Sequence, residues 1–583
     1  MKGKHLFLIA GLFLSTACED WLDKMPLDKL YPDAYFNTAE ELELFTNSLY
    51  PDILPGAASL YEESADAIII SVPIDEVTGQ RQIPANGGGW EFQALRDINF
   101  FLQYSGNCED SGAREQYDAV ARFFRAYFYF EKIKRFGDVP WYDRVLESTD
   151  PDLYKPRDSR EFVMTKILED VDYAIAKLPD TKDCYRVTRW SALALKSRMC
   201  LFEGTFRKYH GLADYEKYLD ECIEASDEFI SQSGYVIDKS TATPYYDLFA
   251  SENAVTSEVV LARDYSKALN LFHNVQNYEN SPTTGAPGLN KKIVNSYLMK
   301  NGDRFTDQPG YKTMTFAEEC QNRDPRLAQT IRTPGYRFDG KSAAPNLQCA
   351  ITGYHLIKYT MDNPENGAYK KSVNDMPIFR AAEVYLNFAE AKAERGTLEQ
   401  DDLDRSVNKL RDRVGMPDMD MKAANLNPDP YLSAEETGYP HVSGENKGVI
   451  LEIRRERTIE LIMEGHRYWD IMRWSEGKLF ERPMLGFYVP ALGAYDLDGD
   501  GKDDVHFWKG SKPAEQNGLL LLEVGKQIEL TDETEGNILL HGHLPRTWNE
   551  DRDYLYPIPS NQRVLTGGKL SQNPGWNDGL IFD

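Results

Sequence analysis

One stretch limits the fold more than any other. Residues 454–474, RRERTIELIMEGHRYWDIMRW, crowd arginines, glutamates and aromatic rings into about six helical turns. Ile459, Ile462, Met463 and His466 recur at helical spacing, and Tyr468, Ile471 and Met472 continue on a face shifted past Gly465. Glycine costs a helix about 1 kcal/mol relative to alanine, so a kink or break is predicted at Gly465. Glu456, Glu460 and Glu464 stand at i, i+4 and i+8 on one ridge. Like charges so spaced repel, and the ridge is expected to be an ion-pair seam neutralised by the interleaved Arg454, Arg455 and Arg457. The stretch lacks H-E-x-x-H, and Glu464 and His466 are too close in sequence to share a helical face as metal ligands. It reads as architecture.

The start of the chain has the form of an export signal. Lys2 and Lys4 precede an apolar run from Leu6 to Leu14, and Ser15-Thr16-Ala17 lead to Cys18. The run is too short to span a bilayer, which takes about 20 residues. Residues 1–17 are therefore expected to be a signal peptide and Cys18 a lipidation site, with several acyl chains giving stable anchorage. Small residues before a cysteine look like a bacterial lipobox, although leucine stands one place earlier than the usual pattern. No other hydrophobic run is long enough to cross a membrane. The formal charge is −27, or −29 without Lys2 and Lys4. So acidic a chain is a poor partner for nucleic acid, whose binding rests on phosphate neutralisation, and is weakly disfavoured for polyanionic glycans. Six further cysteines, at 108, 184, 200, 222, 320 and 349, form no C-x-x-C and fit neither a zinc module nor a dense disulfide scaffold. Pairing among them would leave about fifteen connectivities open.

Helical periodicity begins at 38–50, where Thr38 and Glu41 have capping-box spacing, and returns at 91–104 and 114–136. Between them Gly87-Gly88-Gly89 reads as a flexible loop without the phosphate-loop lysine. Segments 121–137, 189–204 and 380–396 share alanine and aromatic periodicity and end in glycine, and each precedes another helical stretch, at about 159–178, 213–232 and 402–414. Small residues at fixed places let paired helices approach closely, so a loose helix-hairpin repeat is predicted over 91–232 and 380–414, joined by 449–476. Residues 233–375 are irregular, with one strand expected at 257–263, and so large a loop-rich insertion points to function. The C-terminal segment 477–583 is also expected to be loop-rich, and 556–560 and 572–576 are proline-punctuated extended pieces.

These motifs, in this order, resemble the SusD/RagB family. Glu19, Asp20 and Asp23 after Cys18 resemble the acidic export tag of surface lipoproteins. Further matches are Arg135-Phe-Gly-Asp-Val-Pro140, Arg380-Ala-Ala-Glu-Val-Tyr-Leu386, Asn408-Lys-Leu-Arg411, Arg413-Val-Gly-Met-Pro417, the stretch at 452–474, Tyr556-Pro-Ile-Pro559 and Gln572-Asn-Pro-Gly575. The resemblance covers most of the mature chain. It implies a mainly α fold, a single domain over 18–583 with a tetratricopeptide-like scaffold and a loop-built ligand face. It also implies no enzyme activity, an outer-membrane surface location through a lipid anchor, and delivery of oligosaccharide or polysaccharide to a SusC-like TonB-dependent transporter. Some members take peptide instead.

Two sets of residues could carry ligands. Asp496, Asp498, Asp500 and Asp504 present oxygens at the 1, 3, 5, 9 spacing of a calcium loop, with Gly501 at the turn, and a structural calcium ion is expected there. Position twelve is Phe507 instead of the bidentate glutamate, so the loop resembles the shorter D-x-D-x-D-G-x-x-D type. Glycan capture needs exposed aromatic faces and a few amides or charges. Trp90, with Arg81, Asn86 and Tyr61 nearby in sequence, is the first candidate, and Tyr265 and Tyr278 in the insertion are the second. A glycoside hydrolase is the enzymatic alternative, requiring two carboxylates across a cleft. No G-x-S-x-G or comparable signature supports one. A scaffold that binds only protein is the third reading.

Overall fold

The computed structural model describes residues 35–582. The expected signal peptide over 1–17, Cys18 and the acidic residues at 19, 20 and 23 lie outside the described residues. Helix Ala39–Ile53 starts at Thr38, whose hydroxyl accepts from Glu41 N, while the Glu41 carboxylate accepts from Asn37 N at 2.7 Å. It packs on Gln93–Tyr104 and on the long helix Ser111–Phe136. The expected hairpins follow. Ser111–Phe136 pairs with Arg160–Lys177, Arg189–Tyr209 pairs with Tyr215–Gln232, and Ala381–Arg395 packs across the second pair. Gly204 shows why small residues recur: a Cβ there would come within 2.7 Å of the Leu219 side chain. The last expected helix, 402–414, is broken into Gln400–Asp404 and Val407–Arg413.

The signature divides as predicted. Helix Lys447–Glu460 ends before Gly465, which adopts φ +76°, and Arg467–Arg473 continues on a new axis. The Glu63 carboxylate fills the gap, accepting from Met463 N and Arg467 N at 2.7 and 2.5 Å. The ion-pair seam exists, but with different partners. Glu456, Glu460 and Glu464 are all buried and take cations from other parts of the chain. Arg326 and Arg411 hold Glu456 at 2.8 and 2.7 Å. Glu460 meets Arg413, Arg380 and Arg326 at 2.5, 2.8 and 3.2 Å. Glu464 meets Arg380 and Lys358 at 2.7 and 2.6 Å. The interleaved arginines point elsewhere: Arg454 to Glu394, Arg455 to Asp429 and Arg457 to Asp470. Arg455 also reaches Glu452 one turn back at 3.3 Å, but Glu456, Glu460 and Glu464 take their cations across packing interfaces. The seam therefore bolts the insertion, through Arg326 and Lys358, onto the helical scaffold.

The insertion is built of one- and two-turn helices, and its strand Val259–Arg263 pairs antiparallel with Met376–Arg380. The C-terminal segment departs from the loop-rich expectation. Strands Met484–Val489, Leu530–Asp532 and Glu535–Leu540 form one three-stranded sheet, and Gly493–Tyr495, Val505–Trp508 and Leu520–Glu523 form another. Strands of three to six residues between glycine-rich turns leave too few alternations to distinguish them from turns. The proline-punctuated pieces are extended, and a short helix, Ser560–Leu565, begins directly after Pro559. Asn573 Nδ2 donates to the carbonyls of Tyr556 and Phe136, tying both pieces to the end of the long helix. All six described cysteines are free thiols, so none of the possible pairings forms. No helix among the described residues is long and apolar enough to cross a membrane.

Candidate functional site

The glycine turn does not expose Trp90. Lys132 Nζ donates to Gly89 O and Arg135 Nε donates to Gly88 O at 2.7 Å, so the three left-handed glycines form a pinned turn, not a flexible loop. The turn directs the indole inward, against Phe136 and Phe92 at 4.8 and 5.5 Å, leaving Trp90 7 % exposed. The expected open stacking face at Trp90 is thus absent. Arg81 is also buried, its guanidinium over Tyr556 at 4.5 Å and paired with Asp553. Asn86 is exposed and accepts from Asn561 Nδ2 at 3.1 Å. Tyr61 and Tyr278, 5.3 Å apart, are buried, and Tyr265 is half-buried against His273 at 4.4 Å. The structure thus joins Tyr61 and Tyr265 at His273, with Tyr278 against Tyr61, and keeps Arg81 and Asn86 apart from them beside the C-terminal segment, with Trp90 against the long helix.

A cleft of about 610 Å³ lies instead where the insertion, residues 430–437 and the first C-terminal sheet meet. Its size falls in the ~300–1,000 Å³ range of small-molecule sites. Two tyrosines enter from different elements. Tyr311 opens a single 3₁₀ turn after Gly310, whose φ of +75° reverses the chain, and packs on Phe305 at 5.9 Å. Tyr431 sits in the one-turn helix Pro430–Ser433, capped by Asp429, which accepts from Tyr431 N at 2.7 Å. Asp429 is itself held by Arg455, so the signature helix places a cleft tyrosine. At the floor, Lys291 is fixed to Glu319 at 2.8 Å and Lys292 to Asp66 at 2.6 Å. Asn295, Asn537 and Arg482 supply further polar groups, Asn537 from strand Glu535–Leu540. Burial raises the Tyr431 phenol above its usual range, keeping it a neutral donor.

Sequence reasoning missed Tyr311 and Tyr431. Each directly follows a chain-reversing or helix-starting residue, Gly310 or Pro430, which is the only local signal that they stand on ordered turns.

The acidic loop converges only in part. Carboxylate oxygens of Asp496, Asp498 and Asp504 lie within 4.8 Å of one another, with Asp498 buried. Asp500 turns away to Lys502 at 2.8 Å. Burial, and next the neighbouring carboxylates Asp498 and Asp496, push the Asp504 carboxyl up, although N–H groups of Leu497 and Asp498 partly offset this. Hard oxygen donors so placed fit a calcium ion better than a soft metal.

The fold is a helical-repeat scaffold carrying a loop-built cleft, and comparison with known sequences identifies its family. The sequence profile described as "SusD family" matches residues 258–576, and the profile "Starch-binding associating with outer membrane" matches residues 20–201. This chain belongs to the SusD family. A SusD-like protein P2 of Formosa agariphila is 24% identical over 82% of this chain and 92% of its own length. A SusD-like protein of Bacteroides ovatus is 22% identical over 98% of both chains. Among solved structures, a SusD-like protein from Bacteroides fragilis superposes with a TM-score of 0.69 at 23% identity, over 95% of this chain and all of that one. A SusD-like carbohydrate binding protein from the same species gives 0.68 at 21% identity, over 91% of this chain and 98% of that one. The mainly α, tetratricopeptide-like fold expected from the hairpins is the one these structures share.

Proposed function

We propose that this protein captures oligosaccharides at the bacterial surface and hands them on uncleaved. The observation that carries this reading is the cleft, where Tyr311 and Tyr431 offer ring surface for sugar C–H faces beside amides and cations for hydroxyls. Membership of the SusD family, and the match of residues 20–201 to a profile described as starch-binding and associating with the outer membrane, support the same class of ligand. The carboxylates lining the cleft, Asp307 and Glu436, are both exposed. A glycosidase general acid is usually kept protonated by a dry pocket, which neither residue has. Calorimetry against a glycan panel, with product analysis, tests the proposal. Binding without released sugars is expected, with Tyr311→Ala and Tyr431→Ala each weakening it by roughly three- to tenfold, as befits about 1 kcal/mol per ring. Turnover of a bound glycan, or full affinity in the double variant, would overturn it.

The lipid anchor at Cys18 and a TonB-dependent transporter partner complete the reading, supported by the lipobox-like start and the family. Wild-type protein is expected in the outer-membrane fraction, co-purifying with a transporter from mild detergent. Cys18→Ser is expected in the soluble fraction; membrane retention of that variant would remove the anchor from the account. A calcium ion held by Asp496, Asp498 and Asp504 would stiffen the loop that meets Gly335 N through Asp498 O at 2.9 Å. Chelation is expected to lower the melting temperature of wild type and not of an Asp496→Asn/Asp504→Asn variant. Equal melting of wild type with and without chelator would exclude a structural ion.

A further inference from the structure

Two exposed turns of the insertion stand side by side, and neither lines the tyrosine cleft. The first, 266–271, is closed by two backbone hydrogen bonds between Ser266 and Leu271, each 3.0 Å, with Asn270 left-handed at φ +55°. The second, 368–371, is left-handed at Lys370, whose N–H donates to Asn274 Oδ1 at 2.8 Å. Three links join them. His273 and Ser372 form a bridge, Lys371 Nζ stands over the Phe272 ring at 4.7 Å, and Lys267 meets Glu365 at 3.2 Å. Both turns are thus held by hydrogen bonds, yet Leu269, Leu271 and Tyr369 are 66, 48 and 66 % exposed. Apolar side chains clustered in water mark a contact surface.

The charge of this surface is opposite to that of the chain. Residues 265–273 and 366–372 contain Lys267, Lys370 and Lys371 and no carboxylate, on a chain with 93 acidic and 66 basic residues. The flanking carboxylates are Asp264 and Glu365, both exposed. Glu365 takes Lys267 with both side chains about three-quarters exposed, and a pair so wet is weak. The ammonium groups of Lys370 and Lys371 stand over the Tyr369 and Phe272 rings, and neither pairs with a carboxylate among the described residues. Aliphatic tips, a tyrosine ring and unpaired lysines are what a bilayer interface takes: leucine enters the acyl boundary, tyrosine sits at headgroup level and lysine meets phosphate.

The tether permits that contact. Just before the first turn, Arg263 donates to Leu54 O and Pro55 O at 2.7 and 2.6 Å, at the end of helix Ala39–Ile53. This 15-residue helix covers about 22 Å on the way back to Tyr35. The stretch from Cys18 to Tyr35 spans at most about 60 Å when fully extended. A bilayer holding Cys18 therefore comes within reach of the turns.

We propose that the turns at 266–271 and 368–371 dock on a bilayer surface bearing anionic phosphate headgroups, with Leu269 and Leu271 in the acyl boundary and Lys267, Lys370 and Lys371 on the phosphates. The inference rests on the lipid-anchor reading above and adds the face that the protein turns toward the membrane. Carboxylates farther than a Debye length, about 10 Å at 0.1 M salt, are largely screened, so the net charge does not cancel the local attraction. So small a surface binds reversibly; the lipid holds the molecule and the turns orient it.

The test is cosedimentation of full-length Cys18→Ser protein, which has no acyl anchor, with vesicles of phosphatidylcholine alone or mixed equally with phosphatidylglycerol, at about 0.1 M salt. Binding to the mixed vesicles should be at least tenfold stronger. Lys370→Glu/Lys371→Glu and Leu269→Ser/Leu271→Ser should each weaken it by roughly tenfold or more. All four positions are exposed, and melting curves check that the variants are folded. Mixed vesicles should also slow hydrogen exchange at 266–271 and 368–371, and do so less in the lysine variant. Equal binding to both vesicle types, unchanged binding in both variants, or protection confined to other segments overturns the inference. Absence of vesicle binding, with transporter co-purification lost in the variants, assigns the turns to a protein contact and overturns it as well. Failure of the anchor is a separate result: mass spectrometry would then find wild-type Cys18 unmodified, whatever the vesicles bind.

Discussion

Glu460→Gln is expected to destabilise the fold by roughly 3–5 kcal/mol, the cost of removing one partner from a buried ion cluster. The carboxylate is buried and receives Arg413, Arg380 and Arg326 together. The attraction of these guanidinium groups outweighs burial, which alone would raise the carboxyl, and holds it far below the usual range. Glutamine keeps the shape and removes the charge. The three arginines would then be left with Glu258, Asp324, Glu456 and Glu464, of which Glu456 also holds Arg411 and Glu464 also holds Lys358. Because Arg326 belongs to the insertion and Arg413 to the scaffold, the loss should also loosen the joint between them. Chemical denaturation gives the free energy, and hydrogen exchange gives the place. Protection should fall first at 324–331 and 376–380. A loss below about 1 kcal/mol would mean that the cluster does not act as the bolt described above, since surface ion pairs alone are worth that little.

Local signals carried the hairpins. Periodicity of 3.6, Thr38 with Glu41, and the small residue at Gly204 depend on neighbours within a turn or one hairpin, and sequence displays such neighbours directly. The break at Gly465 belongs to the same class. What was illegible depends on distant segments. The glutamate ridge showed that cations were needed, but Arg326 stands 130 residues from Glu456 and Arg380 stands 80 from Glu460. Trp90 followed three glycines, which locally implies exposure, yet Phe136 on another helix covers the ring. The cleft is the extreme case. Tyr311 and Tyr431 lie on one-turn elements without periodicity, and the turn of Tyr431 is capped by Asp429, which Arg455 of the signature helix holds. A charge in the signature thus helps shape the cleft in a way that its own pattern does not display.

Acid should unfold this protein more steeply than its large net negative charge would suggest. Burial alone would raise Glu390, but the Arg473 guanidinium, with Arg457 and Arg454 behind it, holds its carboxyl at about 2. Arg473 Nη2 donates to its Oε2 at 2.8 Å and Trp474 Nε1 to its Oε1 at 2.7 Å, so a proton added to either oxygen meets a donor already bonded there. Asp66, Glu203, Glu456, Glu460 and Glu464 are likewise lowered by buried arginines or lysines. A carboxylate lowered in the folded state contributes stability that is fully present above its unfolded value near 4.5 and is lost as pH falls toward the folded value. For Glu390 alone the loss is roughly 3 kcal/mol at about 1.4 kcal/mol per pH unit. Glu279 runs the other way. Burial pushes it up to about 7, with Thr360 and Tyr359 only partly offsetting, so its ionisation costs stability as pH rises from about 4.5 through 7. Against this, His210 and His273, held at about 4 by burial, cost stability as pH falls below about 6.5, so the expected profile has a broad maximum between about pH 5 and 7, is level above pH 7 and falls steeply below pH 4. Glu390→Gln should flatten the acid limb while lowering stability at pH 7, and Glu279→Gln should raise stability at pH 7 relative to pH 5, where the wild-type glutamate is still largely protonated in the fold. A wild-type melting temperature unchanged between pH 7 and pH 3 would contradict the assignment of these carboxylates as ionised, buried partners.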